Sequence, residues 1–239
     1  MPARIMQSVK VVCGIALVFF INGCATTGAS DPRDPFEGFN RGVYSFNQTM
    51  DDVLFNPIGR LYQAITPVMV DKGVTNFFEN LNDIAIVVND FLQLKINQAL
   101  SDTSRFIFNS TIGLAGFFDV STAAGLPKHD EDFGQTLAVW GVGSGPFIML
   151  PLFGPTTVRD AAGLVVDQGV LNPIFYLDNA KLKASLLTLN YVDFKADLLS
   201  GEKLLGGAAL DKYEFVKNAY FEKRANQIND GATTDLSEP

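Results

Sequence analysis

After Cys24 no apolar run in this 239-residue chain reaches 18 residues, although apolar side chains make up 47% of it and Phe alone occurs 20 times. A helix that crosses a bilayer needs about 20 consecutive apolar residues. The apolar content is therefore distributed over amphipathic stretches, none of which spans a membrane as a conventional single helix. Charged residues make up 18% of the chain and the mean hydropathy is +0.17, which excludes a solvating, disordered polymer. The formal net charge of -8 argues against a nucleic-acid partner, because such binders need a basic surface to neutralise phosphates. One His and two Cys leave little material for zinc sites, imidazole catalysis or a disulfide framework.

The N-terminus reads as an export signal. Arg4 and Lys10 precede the apolar run Val11 to Ile21, which is too short to anchor, and small and polar residues lead to Cys24. Ile21-Asn22-Gly23-Cys24 resembles the bacterial lipobox, with Asn22 as a departure. Cleavage before Cys24 removes residues 1–23 with Cys13 and takes the net charge from -8 to -10. Cys24 then carries acyl chains that hold the protein on a membrane essentially permanently. No other cofactor is expected. Residues 24–33 suit a lipidated tether, 34–228 a helical domain, and the acidic 229–239 a disordered tail.

Within that domain, Phe36, Phe39, Val43, Phe46, Met50 and Leu54 recur at spacings of three and four, predicting an amphipathic helix with a largely aromatic face and a Glu37–Arg41 pair one turn apart. Asn56-Pro57 and Thr66-Pro67 mark corners at which new helices begin. The run Ile84 to Val88 sits inside helical periodicity and is read as helix rather than strand. Helix is expected again over 96–111, 156–168, 173–199 and 210–228. Residues 121–132, ending in Asp130-Glu131-Asp132, read as a surface excursion. The unusual segment is 137–155, two apolar arms around the Gly-rich stretch Trp140 to Pro146. It is almost free of charge and has to be packed inside or face something apolar.

Catalytic motifs fail on spacing. Gly143-Ser144-Gly145 lacks the outer glycines of a nucleophile elbow, having Val142 and Pro146 there, and Gly141-x-Gly143-x-Gly145 lacks the last glycine of a dinucleotide loop. His129 has no second His, so a solvated loop residue is the first reading and a general base or ligand the alternative. The triplet at 130–132 lacks EF-hand spacing and reads as solvated charge. Arg159-Asp160, just after the apolar loop, reads as a structural ion pair, with contact to a phosphate headgroup as the alternative. No enzyme is expected.

The chain resembles the VacJ/MlaA outer-membrane lipoproteins of Gram-negative bacteria. The matching residues are Asp34-Pro35-Phe36-Glu37-Gly38-Phe39-Asn40-Arg41, Asn89-Asp90-Phe91-Leu92-Gln93, Asn109-Ser110-Thr111-Ile112-Gly113, Gly125-Leu126-Pro127-Lys128-His129 with Glu131 to Leu137, Trp140 to Phe147, Arg159-Asp160, and Ala219-Tyr220-Phe221. The resemblance covers about Asp34 to Arg224; Phe147 stands where an aromatic hydroxyl is common. It implies an all-α, ring-like assembly of short amphipathic helices lying in the plane of the membrane, with one apolar Gly/Pro-rich hairpin loop. It also implies an outer-membrane protein that takes phospholipids from the outer leaflet and passes them to a soluble periplasmic carrier, in association with a trimeric porin. A purely structural adaptor of porins is the alternative. On this reading Trp140, Gly141, Gly143, Gly145 and Pro146 form a gating loop, and Arg159 and Asp160 lie near the lipid path.

Overall fold

The computed structural model describes residues 31–205 and 210–231; the stretch 1–23 expected to be a signal peptide, the expected lipidation site Cys24, residues 206–209 and the tail beyond 231 lie outside the described residues. The elements are α1 (Glu37–Met50), a π-helical turn (Asp51–Phe55), α2 (Asn56–Ile65), α3 (Val68–Leu92), α4 (Ile96–Thr111), α5 (Val120–Ala123), α6 (Phe133–Val139), β1 (Phe147–Leu150), β2 (Gly154–Thr157), α7 (Val158–Val166), a second π-helical turn (Asp167–Leu171), a 3-10 turn (Pro173–Tyr176), α8 (Ala180–Leu205) and α9 (Lys212–Ile228). Helix dominates, as expected, and no described helix is long and apolar enough to cross a membrane. Most helices are short, but α3 and α8 run for 25 and 26 residues.

The punctuation works as chain chemistry requires. Pro57 occupies the first turn of α2, and Thr66, extended before Pro67, ends it. Pro67 in turn starts α3, which takes in Ile84 to Val88 as helix. α3 and α4 form a helical hairpin whose turn puts Leu94 at φ 62°. After α4 the chain reverses through Leu114, Ala115 and Gly116, all at positive φ. At Gly116 (φ 88°) a Cβ would come within 2.4 Å of the Asn80 side chain, so both the backbone conformation and the close approach to α3 need glycine.

The apolar segment at 137–155 differs in detail from two arms around a glycine turn. Its first arm is the end of α6, because Asp132 caps that helix by accepting from Gln135 N at 2.9 Å. The strand pairing lies further on, with Phe147 opposite Thr157 and Leu150 opposite Gly154. Two asparagines of α1 extend this small sheet. Asn40 donates to Phe147 O at 3.1 Å and accepts from Met149 N at 2.9 Å. Asn47 donates to Leu150 O at 3.0 Å and accepts from Leu152 N at 2.8 Å. Each side-chain amide thus stands in for a neighbouring strand and satisfies an otherwise open edge.

Burial is inverted relative to a water-soluble protein. Among the described residues, 24 buried side chains are polar or charged and 10 are apolar, whereas 37 large apolar side chains are exposed. The aromatic face predicted for α1 points outward, with Phe36, Phe39 and Phe46 each more than two-fifths exposed, and Asn40 and Asn47 are the buried residues of that helix. The largest apolar cluster is small: Phe147, Met149 and Tyr213, with Val43, Tyr44, Val216, Tyr220 and Phe221 packed against them.

Candidate functional site: a polar interior beneath an apolar loop

Four polar residues of α9, Tyr213, Lys217, Tyr220 and Arg224, recur at spacings of four, three and four and therefore share one face. At its N-terminal end Tyr213 Oη donates to Asp34 at 2.5 Å, and the fully buried Lys217 reaches Asp34 at 3.3 Å and Glu214 at 2.9 Å. At the other end Arg224 bridges two carboxylates. Its Nη atoms meet Asp132 at 2.5 and 2.7 Å, and its Nε and Nη2 meet Asp160 at 3.0 and 2.9 Å. Tyr220 Oη donates to Asp160 Oδ2 at 2.5 Å and Arg159 Nε to Asp160 Oδ1 at 2.8 Å. Burial alone would raise the Asp160 carboxyl, but these donors outweigh it and hold the group at about 2.

α6 and α7 approach closely enough for this to happen because both carry glycine at the crossing. A Cβ on Gly163 would meet Gly134 N at 2.4 Å, and one on Gly134 would meet Arg224 Nη2 at 2.4 Å and Asp160 Oδ1 at 2.6 Å. Thr157 caps α7 by accepting from Asp160 N at 3.3 Å, which fixes the Arg159-Asp160 step.

Arg159 and Asp160 are accordingly 7% and 9% exposed, and the ion pair expected for them is present. Arg159 also holds the apolar loop: its backbone N donates to Ser144 O at 3.1 Å and its Nη1 to Val142 O at 3.5 Å. The loop itself is exposed from Trp140 to Gly145. Gly141 and Gly145 take positive φ, 87° and 67°, while a Cβ on Gly143 would meet open space. Pro146 O accepts from Val158 N at 3.2 Å, and the Trp140 indole donates to Leu92 O at the end of α3. The loop residues, Arg159 and Asp160 are thus neighbours, joined through one arginine.

Behind them runs a second polar layer. Thr136 donates to Asn89 at 2.8 Å, Asn89 donates to Asp167 at 3.0 Å, and Phe133 N donates to the other oxygen of Asp167 at 2.9 Å. Burial raises Asp167 to about 6 despite these two donors. Asp167, Gln168, Asn82, Asn172 and Asn190 face a small cavity closed on its other side by Phe78, Leu81, Ala85 and Ile174. Of the triplet at 130–132, Asp130 is exposed as expected for solvated charge on a surface stretch, whereas Asp132 caps α6 and Glu131 is buried. Glu131 is 5% exposed and accepts from Gln93, Lys95 and Gln98 at 2.8–2.9 Å, and His129 Nδ1 lies 2.7 Å from Asp102.

The roles of Tyr213, Lys217, Tyr220, Arg224, Asn40 and Asn89 were missed by motif reading. Their signal is the helical spacing of polar residues, which marks a core face here just as apolar spacing does in a soluble protein.

A mostly helical domain that buries many polar and charged side chains and exposes much of its apolar area is suited to an apolar surround. The chain belongs to the MlaA lipoprotein family, whose model matches residues 32–227. It is 34% identical to the intermembrane phospholipid transport system lipoprotein MlaA of Shigella flexneri over 91% of this chain and 88% of that one, and 33% identical to that of Escherichia coli strain K12 over the same shares. An uncharacterized protein of Rickettsia bellii is 32% identical over 87% of this chain and 80% of its own. A solved structure from work on the structural basis for maintenance of bacterial outer membrane lipid asymmetry superposes with a TM-score of 0.72 at 32% identity, covering 82% of this chain and 99% of its own.

Proposed function

We propose that this protein is an outer-membrane lipoprotein that removes mislocalised phospholipids from the outer leaflet and hands them towards a periplasmic carrier, so maintaining lipid asymmetry. The observation that carries the reading is the inverted burial: an apolar exterior around a polar interior, in a chain whose relatives are named for phospholipid transport. A phospholipid leaving the outer leaflet must bring a charged headgroup past hydrocarbon, at a cost of many kcal/mol unless polar groups line the way. In-plane helices supply both faces at once: Ile58, Leu61, Ile65, Leu100, Ile107 and Ile112 towards acyl chains, and the Asn, Asp and Arg layer towards the interior. A passive path of this kind uses positioning and desolvation and needs no nucleophile.

On this reading Cys24 carries the lipid anchor, Trp140, Gly141, Gly143, Gly145 and Pro146 form the element that adjusts at the mouth of the path, and Arg159 and Asp160 are its hinge post. The three loop glycines suit that role because two adopt positive φ and a Cβ on the third would meet open space. A trimeric porin and a soluble periplasmic carrier are the partners such a placement calls for.

The test is phospholipid exposure in the outer leaflet of intact cells, read with a membrane-impermeant amine-reactive probe in a deletion strain complemented with wild type or Cys24→Ala. Exposure should rise on deletion and fall only with the lipidated form. Unchanged exposure with altered porin abundance would transfer the assignment to a porin adaptor.

A further inference from the structure

Asp90 is fully buried near the C-terminal end of α3, and neither of its carboxylate oxygens meets a donor among the described residues. Opposite it, Asp102 of α4 is 2% exposed and stands within hydrogen-bonding reach. Two ionised carboxylates in such a seam would be two buried acceptors facing each other with no donor between them, which raises the free energy of the doubly charged state. The charged groups around the seam are Asp83 on α3, Arg105 on α4, Lys95 in the turn, and Lys128, His129 and Glu131 on the following loop, where Lys128 pairs with Glu79 and Asp83. Lys95 and Arg105 are engaged elsewhere, and His129 is engaged at Asp102 itself. Lys95 pairs with Glu131 and Asp230, Arg105 gives its Nη atoms to Asp119, Thr122 and Leu126 O, and His129 sits on Asp102.

We propose that Asp90 and Asp102 form a buried proton-binding site: one proton, carried by Asp90, donates to the Asp102 carboxylate, whose other partner is His129. The site clamps the α3–α4 hairpin, and loss of the proton on the alkaline side sets the two carboxylates against each other and loosens the seam. Burial first, and then the charges of Asp102 and Glu131, push Asp90 up to about 8, so the change falls just above neutrality. The linkage sign follows. The folded state keeps a proton that the unfolded state has already lost, so stability declines as pH rises towards that value and levels off above it. Two residues beyond Asp90, Leu92 O accepts the indole of Trp140, the single Trp of the chain. The end of α3 therefore carries the state of the site to the apolar loop, and the molecule contains its own reporter.

Full-length protein in detergent is titrated from about pH 6 to about pH 10. Infrared difference spectra should show the carbonyl stretch of a protonated carboxyl at neutral pH that is lost on the alkaline side, and Trp140 emission should move with the same midpoint. The folded-to-unfolded ratio in urea should fall by up to about tenfold per pH unit between about 6 and 8. Asp90→Asn should remove the infrared band, the emission change and that slope together. Asp102→Asn, which removes the like charge and leaves Asp90 in place, should keep the band and lower its midpoint; it serves if Asp90→Asn does not fold. Absence of a protonated-carboxyl band at neutral pH, or its survival in Asp90→Asn, overturns the site. Trp140 emission that stays flat while the band titrates overturns the coupling to the loop.

Discussion

Arg224 answers two carboxylates at once, and that makes it the most demanding single residue in the interior. Removing one member of a buried ion network leaves the remaining charges without compensation, at about 3–5 kcal/mol. Asp132 keeps 37% of its side-chain exposure, and Asp160 retains Arg159 and Tyr220, so Arg224→Met should cost about 3 kcal/mol, near the low end of that range. Denaturant unfolding in detergent reads this directly. Asp160 supplies a prediction of opposite pH sense to that at Asp90. Its folded value of about 2 lies below the ordinary carboxylate value of 3.8, so its contribution is complete above the unfolded value and drains away as pH falls from about 4 to about 2. Asp160→Asn should therefore flatten acid unfolding across that interval. An acid profile matching wild type in this variant would mean that the cluster does not hold Asp160 in its charged form.

At the level of elements, the β-hairpin is too small to stand alone, because two strands of four residues are marginal in water. What completes it is α1, whose Asn40 and Asn47, seven residues apart on one helix face, each take one carbonyl and one amide of the strand edge. Asn40→Ala leaves Phe147 O and Met149 N unsatisfied in a buried place and should cost about 2 kcal/mol, with Asn40→Asp worse than Ala because the carboxylate cannot donate to Phe147 O. Amide hydrogen exchange at Met149 checks it, since that N–H loses its partner. This is also where sequence reading and structure part company. The α1, α3, α4 and α9 helices, the Pro corners at 57 and 67 and the pairing of Arg159 with Asp160 were legible, because periodicity and proline act locally. Which face of α1 is inside was not fixed by periodicity alone. Phe at three- and four-residue spacings makes the same stripe whether it packs against protein or faces lipid, and only the partners of the asparagines decide. Arg224 and Tyr220 were opaque for a related reason. They meet Asp132 and Asp160 across 60 to 92 residues of chain, a distance that no local motif spans.

For the molecule as a whole the decisive quantity is where apolar area goes. Side chains such as Leu61 and Ile65 on α2 are 61% and 71% exposed, and nothing in the described fold covers them. In water this would be a liability to aggregation, whereas at a bilayer each such side chain that enters hydrocarbon contributes about 1.5–3 kcal/mol of binding. Two consequences separate a membrane-facing exterior from a core that merely packs loosely. Replacing Leu61 and Ile65 together by Asp should leave unfolding in detergent almost unchanged, because neither residue supports the interior. The same pair in the Cys24→Ala background, which removes the acyl anchor proposed for Cys24, should lower partitioning onto phospholipid vesicles by at least about a hundredfold. Vesicle flotation measures the second and urea titration the first. A large loss of stability with little change in flotation would place these two side chains in the packing of α2 against the rest of the fold, and this part of the apolar belt would then belong to a loose core rather than to a lipid-facing surface.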